Sequence, residues 1–297
     1  MFKLRASNPS NTIILAGSGR SGTTWLGNII AANPNVRVFF EPFDYRQVPE
    51  ATCLPLIAYA RPDEEYPDRE AFMRAVLSGR VENSWINQQG KRWWATVRFI
   101  KAIRANLMLG WIDRKFQPKI VFTTRHPCAV ILSRIKLNWQ SHLDVFLEQS
   151  DLVEDYLQPY LDIIHNAQTP VQKEAVMWCI ENLIPLRQLP HHNWVFCTYE
   201  EFYRHTETEA KRVLNAIGIR KSWFTQRAIQ KVSMVTRPDS AILNGQDPLS
   251  AWKKQLSKQD IDAILTIVDR FNITLYDSDI TPHKTSLLKE THQGIAA

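Results

Sequence analysis

Short apolar runs alternate with longer amphipathic segments along most of the chain. Five of these runs are rich in β-branched and aromatic residues, as buried strands are: Thr12–Ala16, Val36–Phe40, Thr96–Ile100, Lys119–Thr124 and Trp194–Thr198. Helical periodicity predicts the elements between and after them: Thr23–Ala32, Asp68–Leu77, Ala102–Phe116, Ala129–Trp139, Val171–Gln188 and Glu207–Ile217. This alternation predicts an α/β fold, with a central parallel sheet that helices cover on both faces.

Two segments interrupt the alternation: Cys53–Val81 is rich in proline at first and ends in a helix pattern, and Gln140–Thr169 contains no clear strand. We interpret them as helical insertions over the strand ends, with plain surface helices as the alternative. Further on, Ser250–Asn272 predicts a pair of helices. In the second of these, Ser257 is the expected N-cap, followed three residues later by Asp260.

Length and composition fit one folded unit. The chain has 297 residues, of which 44% are hydrophobic, enough for one large α/β domain. We therefore expect a single domain over residues 1–297, with its core over about residues 12–272. A polar tail begins at about His283, and we expect it to fray.

The net charge of +6 suits an anionic ligand, but the basic residues are scattered. The chain has no long Lys/Arg run and no nucleic-acid motif, so we expect no nucleic-acid partner. Its four cysteines form no C-x-x-C pair, which argues against a zinc site or a disulfide framework. Reduced cysteines and the lack of an apolar secretory leader favour a cytoplasmic location.

No stretch of the sequence approaches the roughly 18 apolar residues of a membrane span, so we expect no transmembrane segment. The ten tryptophans leave a peripheral membrane association open. The sequence also leaves the oligomeric state open.

A glycine-rich loop, Gly17–Gly22, joins the first predicted strand to the first predicted helix. Such a loop directs backbone N–H groups and a helix N-terminus at one point, which predicts a site for phosphate or a similar anion. The glycine spacing is that of the nucleotide-binding P-loop, G-x-x-x-x-G-K-[ST]. Here, however, Thr23 replaces the lysine and the cation comes earlier, at Arg20. This difference argues against a P-loop nucleotide kinase.

A second candidate anion site follows the fourth predicted strand. Arg125 comes directly after that strand, His126 and Pro127 suit the start of a helix, and Ser133 lies eight residues after the arginine. We expect the guanidinium of Arg125 and the hydroxyl of Ser133 to converge on one anion. A P-loop nucleotidase would place an acidic residue here to hold Mg²⁺. An arginine in that place favours a second anion site.

Together the two motifs resemble those of sulfotransferases that use 3′-phosphoadenosine 5′-phosphosulfate (PAPS). Gly19–Leu26 is similar to their 5′-phosphosulfate loop, [KR]-S-G-[TS]-[TS]-[WF]-L, and Arg125–Ser133 is similar to their 3′-phosphate motif. Weaker similarities at Thr198–Phe202 and Trp252–Ser257 extend the resemblance over about residues 12–272. Arg20 and the pair Glu41-Pro42 favour the carbohydrate-sulfating or bacterial branch.

The resemblance implies a role for each matching residue. Arg20 takes the place of the usual lysine beside the leaving phosphate, and the N–H and hydroxyl groups of the following residues cradle the 5′-phosphate: Ser21, Gly22, Thr23 and Thr24. Arg125 and Ser133 hold the 3′-phosphate. Arg237 or Lys253 is a candidate for a further contact there. Two aromatic residues have a nucleotide contact and a packing role as alternatives: Trp25 and Tyr199.

The base is the least defined part of this resemblance. Small-molecule members use a histidine after the central strand, but an isoleucine stands there in Ile100–Ile103. Glu41 is then the candidate base, with an ion pair to Arg20 or Arg98 as the alternative. Lys101 either lies near the transferred sulfonate or on the surface. We expect His126 to cap a helix rather than to act in catalysis.

The resemblance implies PAPS as co-substrate, 3′-phosphoadenosine 5′-phosphate (PAP) as product, and no metal. The acceptor is a hydroxyl of a carbohydrate, a glycolipid or a small molecule. Several aromatic residues are candidates either to stack on a sugar or to fill the core: Phe39, Phe40, Phe43, Tyr45, Trp93 and Trp94. A non-catalytic anion-binding protein on the same fold is the alternative from another functional class.

Overall fold

A parallel sheet of five strands lies at the centre of the protein, in the order β2-β3-β1-β4-β5. The computed structural model describes residues 11–220, 222–231, 247–285 and 287. The strands are β1 (Thr12–Ala16), β2 (Val36–Phe40), β3 (Val97–Ala102), β4 (Lys119–Thr124) and β5 (Val195–Thr198). The predicted α/β fold with a central parallel sheet is confirmed.

Helices fill the connections between the strands. Before β4 they are α1 (Thr23–Ala31), α2 (Pro67–Leu77) and α3 (Leu109–Phe116). Between β4 and β5 lie α4 (Pro127–Lys136), α5 (Leu143–Leu147), α6 (Ser150–Leu152), α7 (Leu161–His165) and α8 (Pro170–Gln188). After β5 come α9 (Tyr199–Arg204), α10 (Thr206–Ala216), α11 (Trp223–Lys231), α12 (Ala251–Gln255) and α13 (Lys258–Arg270).

Two hydrophobic cores lie on the two faces of the sheet. Along β1 the side chains alternate between them: Ile13 and Leu15 pack in the smaller core, and Ile14 and Ala16 in the larger one. Helices α1 and α10 cover the smaller core, while α3, α4, α8 and α13 cover the larger. Since β1 is buried on both faces, its sequence is a continuous apolar run rather than an alternating one.

The helix predicted to begin at Ala102 begins later, so that boundary was wrong. Strand β3 continues through Lys101, which pairs with β1 on one side and β2 on the other, and Ala102 still pairs with Ala16. The α-helix starts only at Leu109, after a 3₁₀ turn at Asn106–Met108. Neighbouring strands on both sides supply the backbone hydrogen bonds that a helix would otherwise form.

Two helices begin at the caps predicted from the sequence. Ser257 caps α13, because its Oγ accepts a hydrogen bond of 3.0 Å from the N–H of Asp260. His126 caps α4, because its Nδ1 accepts from the N–H of Cys128 at 3.2 Å. Both predicted caps are confirmed.

The two insertions are helical and contact each other. The N–H of Tyr59 donates to Gln149 Oε1 at 2.8 Å, and Arg61 Nε donates to Asp155 Oδ2 at 2.7 Å. Buried side chains of both insertions join the larger core: Phe72, Met73, Val76, Phe146, Leu152 and Leu157. The insertions are therefore part of the packed structure and not only surface helices.

The start of the C-terminal tail is bound to the domain. The N–H of His283 donates to the carbonyl of Leu275 at 2.8 Å, and the N–H of Thr274 donates to the carbonyl of Leu287 at 3.1 Å. The rest of the tail, for which we expect fraying, lies outside the described residues. Across the described ranges, no helix combines the length and the apolar character needed to cross a bilayer.

Candidate active site at the carboxyl ends of the strands

The glycine-rich loop follows β1 at the carboxyl edge of the sheet, and hydrogen bonds fix its backbone. The N–H of Gly17 donates to Asn106 Oδ1 at 2.9 Å, and the N–H of Ser21 donates to the carbonyl of Ser18 at 3.1 Å. Gly22, the N-cap of α1, has φ +83°, and a Cβ there would lie 2.6 Å from the ring of Tyr199. Only glycine fits this left-handed and crowded position.

The N-terminus of α1 is free to receive an anion. No side chain among the described residues caps it. The first-turn N–H groups of a helix have no partner within the helix, and the helix dipole adds positive charge at that end. Ser21 and Thr23 are buried there, while Thr24 is exposed. Because the N–H of Ser21 is used inside the loop, Gly22, Thr23 and Thr24 supply the remaining N–H donors.

Arg20 joins the two predicted anion sites. Its Nε donates to Ser133 Oγ at 2.9 Å, and its carbonyl accepts from Arg125 Nη1 at 3.4 Å. Ser133 thus contacts the side chain of Arg20 and Arg125 contacts its backbone carbonyl, so both residues of the second predicted anion site touch the loop. The backbone of Arg20 has φ +79°, in the left-handed region that residues other than glycine rarely adopt. Strain of this kind is common at functional sites.

The guanidinium of Arg125 is only partly satisfied by the protein. Its Cζ lies 4.1 Å from the ring centroid of Tyr199, and Nη2 donates to the carbonyl of Pro248 at 2.9 Å. Its Nε is buried and has no hydrogen-bond partner among the described residues. A buried donor without a partner is costly. This unpaired donor is consistent with the predicted second anion site, where a ligand oxygen would complete it.

The two aromatic candidates belong to one ring cluster. Trp25 meets Tyr199 edge-to-face at 5.6 Å and Phe202 at 5.1 Å between ring centroids. Burial raises the pKa of Tyr199. Packing thus accounts for both residues, and the cluster also forms a wall beside Arg125. Of the two further basic candidates, Lys253 is exposed beside Trp252, and Arg237 lies outside the described residues.

Glu41 lies at the end of β2, buried in a network of positive charges. Its Oε1 accepts from Lys101 Nζ at 2.9 Å, its Oε2 accepts from the N–H of Ile103 at 3.0 Å, and Arg104 Nη1 lies 3.7 Å from Oε2. Its ion-pair partners are thus Lys101 and Arg104, not Arg20 or Arg98 as the alternative proposed. Lys101 is buried as well, so of its two alternatives the surface position is excluded.

The backbone of Glu41 is also unusual. Its φ of +43° is left-handed, as at Arg20. The surroundings hold it there: the N–H of Glu41 donates to the carbonyl of Lys101 at 2.8 Å, and Trp85 Nε1 donates to the carbonyl of Glu41 at 3.3 Å. A left-handed conformation costs about 1–2 kcal/mol. Both candidate catalytic residues after strand ends, Arg20 and Glu41, therefore carry backbone strain.

Arg134 is a site residue that the sequence analysis missed. Its side chain is fully buried and donates to the carbonyl of Gly19 through Nε at 3.3 Å and through Nη2 at 3.2 Å. Two carboxylates of α8 complete the network, Glu174 at 3.1 Å and Glu181 at 2.6 Å. The loop is thus tied to α8 through one arginine. Its position directly after Ser133 was the only signal in the sequence.

The charges in this network do not cancel, since one arginine faces two carboxylates. Burial alone would lower the pKa of Arg134, but the charges and hydrogen bonds of Glu181 and Glu174 raise it. Burial raises the pKa of Glu174 in spite of the arginine. A buried network of this kind is costly to break, because each remaining charge would be left without a partner.

Two buried asparagines add further support below the loop. Asn182, in the middle of α8, donates to Ser18 Oγ at 2.9 Å and accepts from Thr124 Oγ1 at 2.7 Å. Asn106 donates to the carbonyl of Glu181 at 2.9 Å, besides accepting from Gly17. An amide in each place can donate and accept at once, which connects the loop, β4 and α8.

His126 supports the site from behind Arg125 and takes no part in it directly. Its ring stacks on Trp252 at 4.3 Å, and its Nε2 lies 2.9 Å from the carbonyl of Asp277. Because Nδ1 accepts from a backbone N–H, Nε2 carries the proton and donates. Burial lowers the pKa of His126 to about 4. A neutral ring fits its role as a helix cap.

We expect His126 to make the protein less stable in acid. Between pH 6.5, its ordinary pKa, and about 4, the unfolded chain binds a proton that the folded chain excludes. The free energy of unfolding therefore falls as the pH drops through this range, by about 3 kcal/mol in total. Denaturant unfolding from pH 7.5 to 4.5 should show a shallower pH slope for His126→Asn than for wild type. The exposed control His165→Asn should keep the wild-type slope; equal slopes for all three proteins would contradict this assignment.

For a metal, the described residues offer one group of candidate ligands, Asp277, Asp279 and His283. All three are exposed, and His283 Nε2 already contacts Asp277 Oδ2 at 2.9 Å. The group does not include any of the residues that contact Arg20. We assign no role to it.

Comparison with known proteins places the chain in a family. The model of the sulfotransferase family matches residues 12–224, which covers the loop, Glu41, Arg125 and Ser133. The chain therefore belongs to the sulfotransferase family. Among curated proteins, the comparison found no significant match.

Solved structures of sulfotransferases resemble the chain. The sulfotransferase domain from the curacin biosynthetic pathway is 14% identical over 87% of this chain and 96% of that one, with a TM-score of 0.50. A mouse sulfotransferase, SULT7A1, complexed with PAP is 16% identical over 89% of this chain and 86% of its own, with a TM-score of 0.47. The sulfotransferase STF9 from Mycobacterium avium is 12% identical over 95% of this chain and 80% of its own, with a TM-score of 0.47. The likeness of fold rests on the first of these.

Proposed function

We propose that this protein transfers the sulfonate group of PAPS to a hydroxyl of an acceptor by in-line displacement. The observation that carries the proposal is the meeting of two anion sites at Arg20, which contacts both Ser133 and Arg125. A donor with a 5′-phosphosulfate and a 3′-phosphate needs two such sites at a fixed separation. The arginine at the end of β4, where a P-loop nucleotidase has an acidic residue, favours this donor over ATP.

Each residue at the loop has a role in binding or charge neutralisation. The N–H groups of Gly22, Thr23 and Thr24 bind the 5′-phosphate, helped by the positive end of α1. Arg20 neutralises charge that develops on the leaving phosphate, and Arg125 with Ser133 binds the 3′-phosphate. Sulfonate transfer, like phosphoryl transfer, is catalysed chiefly by positioning and charge stabilisation.

On the acceptor side, we assign the general base to Glu41. It follows β2, two strands away from β1 in the sheet, so the acceptor approaches from the side opposite β4. Each carboxylate oxygen of Glu41 accepts one hydrogen bond from the protein and retains a lone pair for a proton. Lys101 holds the carboxylate of Glu41 and places a positive charge between that carboxylate and the loop. In this position the ammonium group of Lys101 also faces the incoming sulfonate.

The acceptor class rests on the surroundings of Glu41. Trp85 and the half-buried Phe40 lie edge-to-face at 5.2 Å beside it, and Tyr45 is exposed nearby in sequence. Rings of this kind suit the flat face of a sugar, so we propose a carbohydrate or glycolipid acceptor and the carbohydrate-sulfating or bacterial branch of the family. Phe39 and Phe43 are buried core residues. Free cysteines, three of them buried, fit a cytoplasmic enzyme.

The donor site is tested by calorimetry with PAP. Wild type should bind PAP and ignore ATP, because the pocket at Arg125 selects the 3′-phosphate. Arg125→Ala should weaken PAP binding by about 100-fold, the loss of a charge-assisted contact of about 3 kcal/mol. The matched control Arg204→Ala removes an exposed arginine that bonds only to Thr281 among the described residues, and should bind PAP as wild type does.

The outcomes separate the competing functions. No PAP binding by folded wild type, or equal affinity for PAP and ATP, would overturn the proposal. PAP binding without sulfonate transfer from PAPS to any of a phenol, an oligosaccharide and a glycolipid would favour the non-catalytic alternative.

A further inference from the structure

Four large aromatic side chains stand exposed at the edge of the sheet opposite the active site. Trp93 and Trp94 precede β3, and Trp223 and Phe224 begin α11; each is more than half exposed. Within each pair the rings touch edge-to-face, at 6.1 Å and 5.2 Å between centroids. Exposed apolar groups in such number mark a contact surface rather than scattered surface residues. The place of Trp93 and Trp94 also excludes them from the acceptor side, where the sequence analysis had considered them.

The two aromatic pairs flank a single turn, residues 32–35, between α1 and β2. On one side, the N–H of Thr96 donates to Asn35 Oδ1 at 2.9 Å. On the other side, Asn33 Nδ2 donates to the carbonyl of Arg220 at 3.2 Å. Each of these contacts is two or three residues along the chain from an aromatic pair. The turn and the two pairs thus form one surface, which we call the aromatic edge.

Basic residues accompany these aromatic residues. The sequences around them, residues 88–96 and 218–231, contain two and four Lys or Arg respectively and no Asp or Glu. Among these, Lys91, Arg220 and Arg227 are exposed, and Arg227 lies over the ring of Trp223 at 5.2 Å. The nearby carboxylate of Glu82 is already bound by Arg37 and Lys91. The aromatic edge therefore carries net positive charge.

We propose that the aromatic edge binds the surface of a membrane that contains anionic lipids. Tryptophan side chains prefer the interface between headgroups and acyl chains, and exposed Lys and Arg are attracted to anionic headgroups. The combination of exposed tryptophans and exposed basic residues such as Arg220 and Arg227 is that of proteins that lie on a membrane without crossing it. The positive charge would suit either an anionic lipid surface or an acidic protein. We favour the lipid surface because the aromatic pairs add a large apolar area that can enter the membrane interface.

This orientation leaves the active site open to solution. The aromatic edge lies at the amino ends of β2 and β3, whereas Arg20, Glu41 and Arg125 follow the carboxyl ends of their strands. The membrane would hold the protein by one edge and present the other to soluble donor. The proposal does not depend on the identity of that donor.

Co-sedimentation with vesicles tests the proposal. The full chain should sediment with vesicles of phosphatidylserine and phosphatidylcholine, and much less with phosphatidylcholine alone. Added salt should weaken binding, because it screens the attraction between basic side chains and headgroups. Trp93→Ala/Trp94→Ala should lower partitioning about tenfold or more, through loss of buried apolar area. Arg220→Glu/Arg227→Glu should lower it by a similar factor.

A charge-matched control separates the surface from net charge. Lys258→Glu/Arg270→Glu makes the same charge change in α13, on the other face of the sheet, and should leave vesicle binding unchanged. All variants should bind PAP as wild type does, which also shows that they are folded; if even wild type fails to bind PAP, the vesicle result still stands. The proposal would be overturned if the control lost as much binding, or if the wild type showed no preference for anionic vesicles. It would also be overturned if the wild type were a dimer that dissociates in Trp93→Ala/Trp94→Ala, since the surface would then bind a second copy of this chain.

Discussion

Replacing Glu41 by glutamine is expected to lower kcat by a factor of about 100 to 10,000, the usual contribution of a general base. The amide keeps the shape of the side chain and still accepts a hydrogen bond from Lys101, but it cannot take the proton of the acceptor hydroxyl. PAP affinity should change little, because Glu41 follows β2 whereas the proposed PAP-binding residues follow β1 and β4. Sulfonate transfer from PAPS to an acceptor found in the panel above gives kcat, and calorimetry gives PAP affinity.

Asp44→Asn is the matched control for that experiment. Asp44 is a second buried carboxylate of the same charge network, held by Arg46 at 2.8 Å and Arg104 at 3.1 Å. Its removal makes the same change in charge a few residues away from the proposed base, so kcat should fall by less than about tenfold. Equal losses in the two variants would show that the network has only a structural role. Near wild-type kcat in Glu41→Gln would remove Glu41 as the base.

Replacing Arg134 by alanine is expected to destabilise the protein by about 3–5 kcal/mol, since Glu174 and Glu181 would remain buried without their partner. The same change removes both side-chain donors to the carbonyl of Gly19, so PAP binding should weaken as well. Denaturant unfolding measures the first effect. Calorimetry at a temperature where the variant is folded measures the second.

A neutral triple variant separates stability from positioning of the loop. Arg134→Met/Glu174→Gln/Glu181→Gln removes all three charges and keeps most of the side-chain volume, so much of the lost stability should return. The carbonyl of Gly19 still lacks its donors, so PAP binding should stay weak. If the triple variant binds PAP as tightly as wild type, Arg134 does not position the loop.

The candidate site was accessible to sequence analysis to different degrees. The loop and its cation at Arg20 follow from local spacing, because a strand, glycines and a helix in succession impose the turn. Arg125 and Ser133 follow from the same kind of local pattern. The partners of Glu41 did not, because they depend on which strands lie side by side. β3 lies between β2 and β1, and so Lys101 meets Glu41 although 60 residues separate them.

The network around Arg134 could not be predicted from the sequence either. Glu174 and Glu181 are charged residues on a long helix, where the usual expectation is an exposed face. They are buried because α8 packs against α4 and the core below the loop, which brings them to an arginine 40 and 47 residues earlier in the chain. No local pattern contains that information.

The sequence by itself therefore determined the class of fold, four of the five strands to within one residue, and the two motifs for which we propose anion binding. These are properties of short segments, in which apolar periodicity, glycine spacing and a cation after a strand act within a few residues of one another. Only the tertiary structure decided that Arg20 contacts Ser133 and that Glu41 pairs with Lys101 and Arg104. The same holds for the hydrogen bond from Arg134 to the carbonyl of Gly19 in the loop. Each of these contacts depends on the lateral order of the strands and on the packing of α4 and α8, which arise from burial across the whole chain.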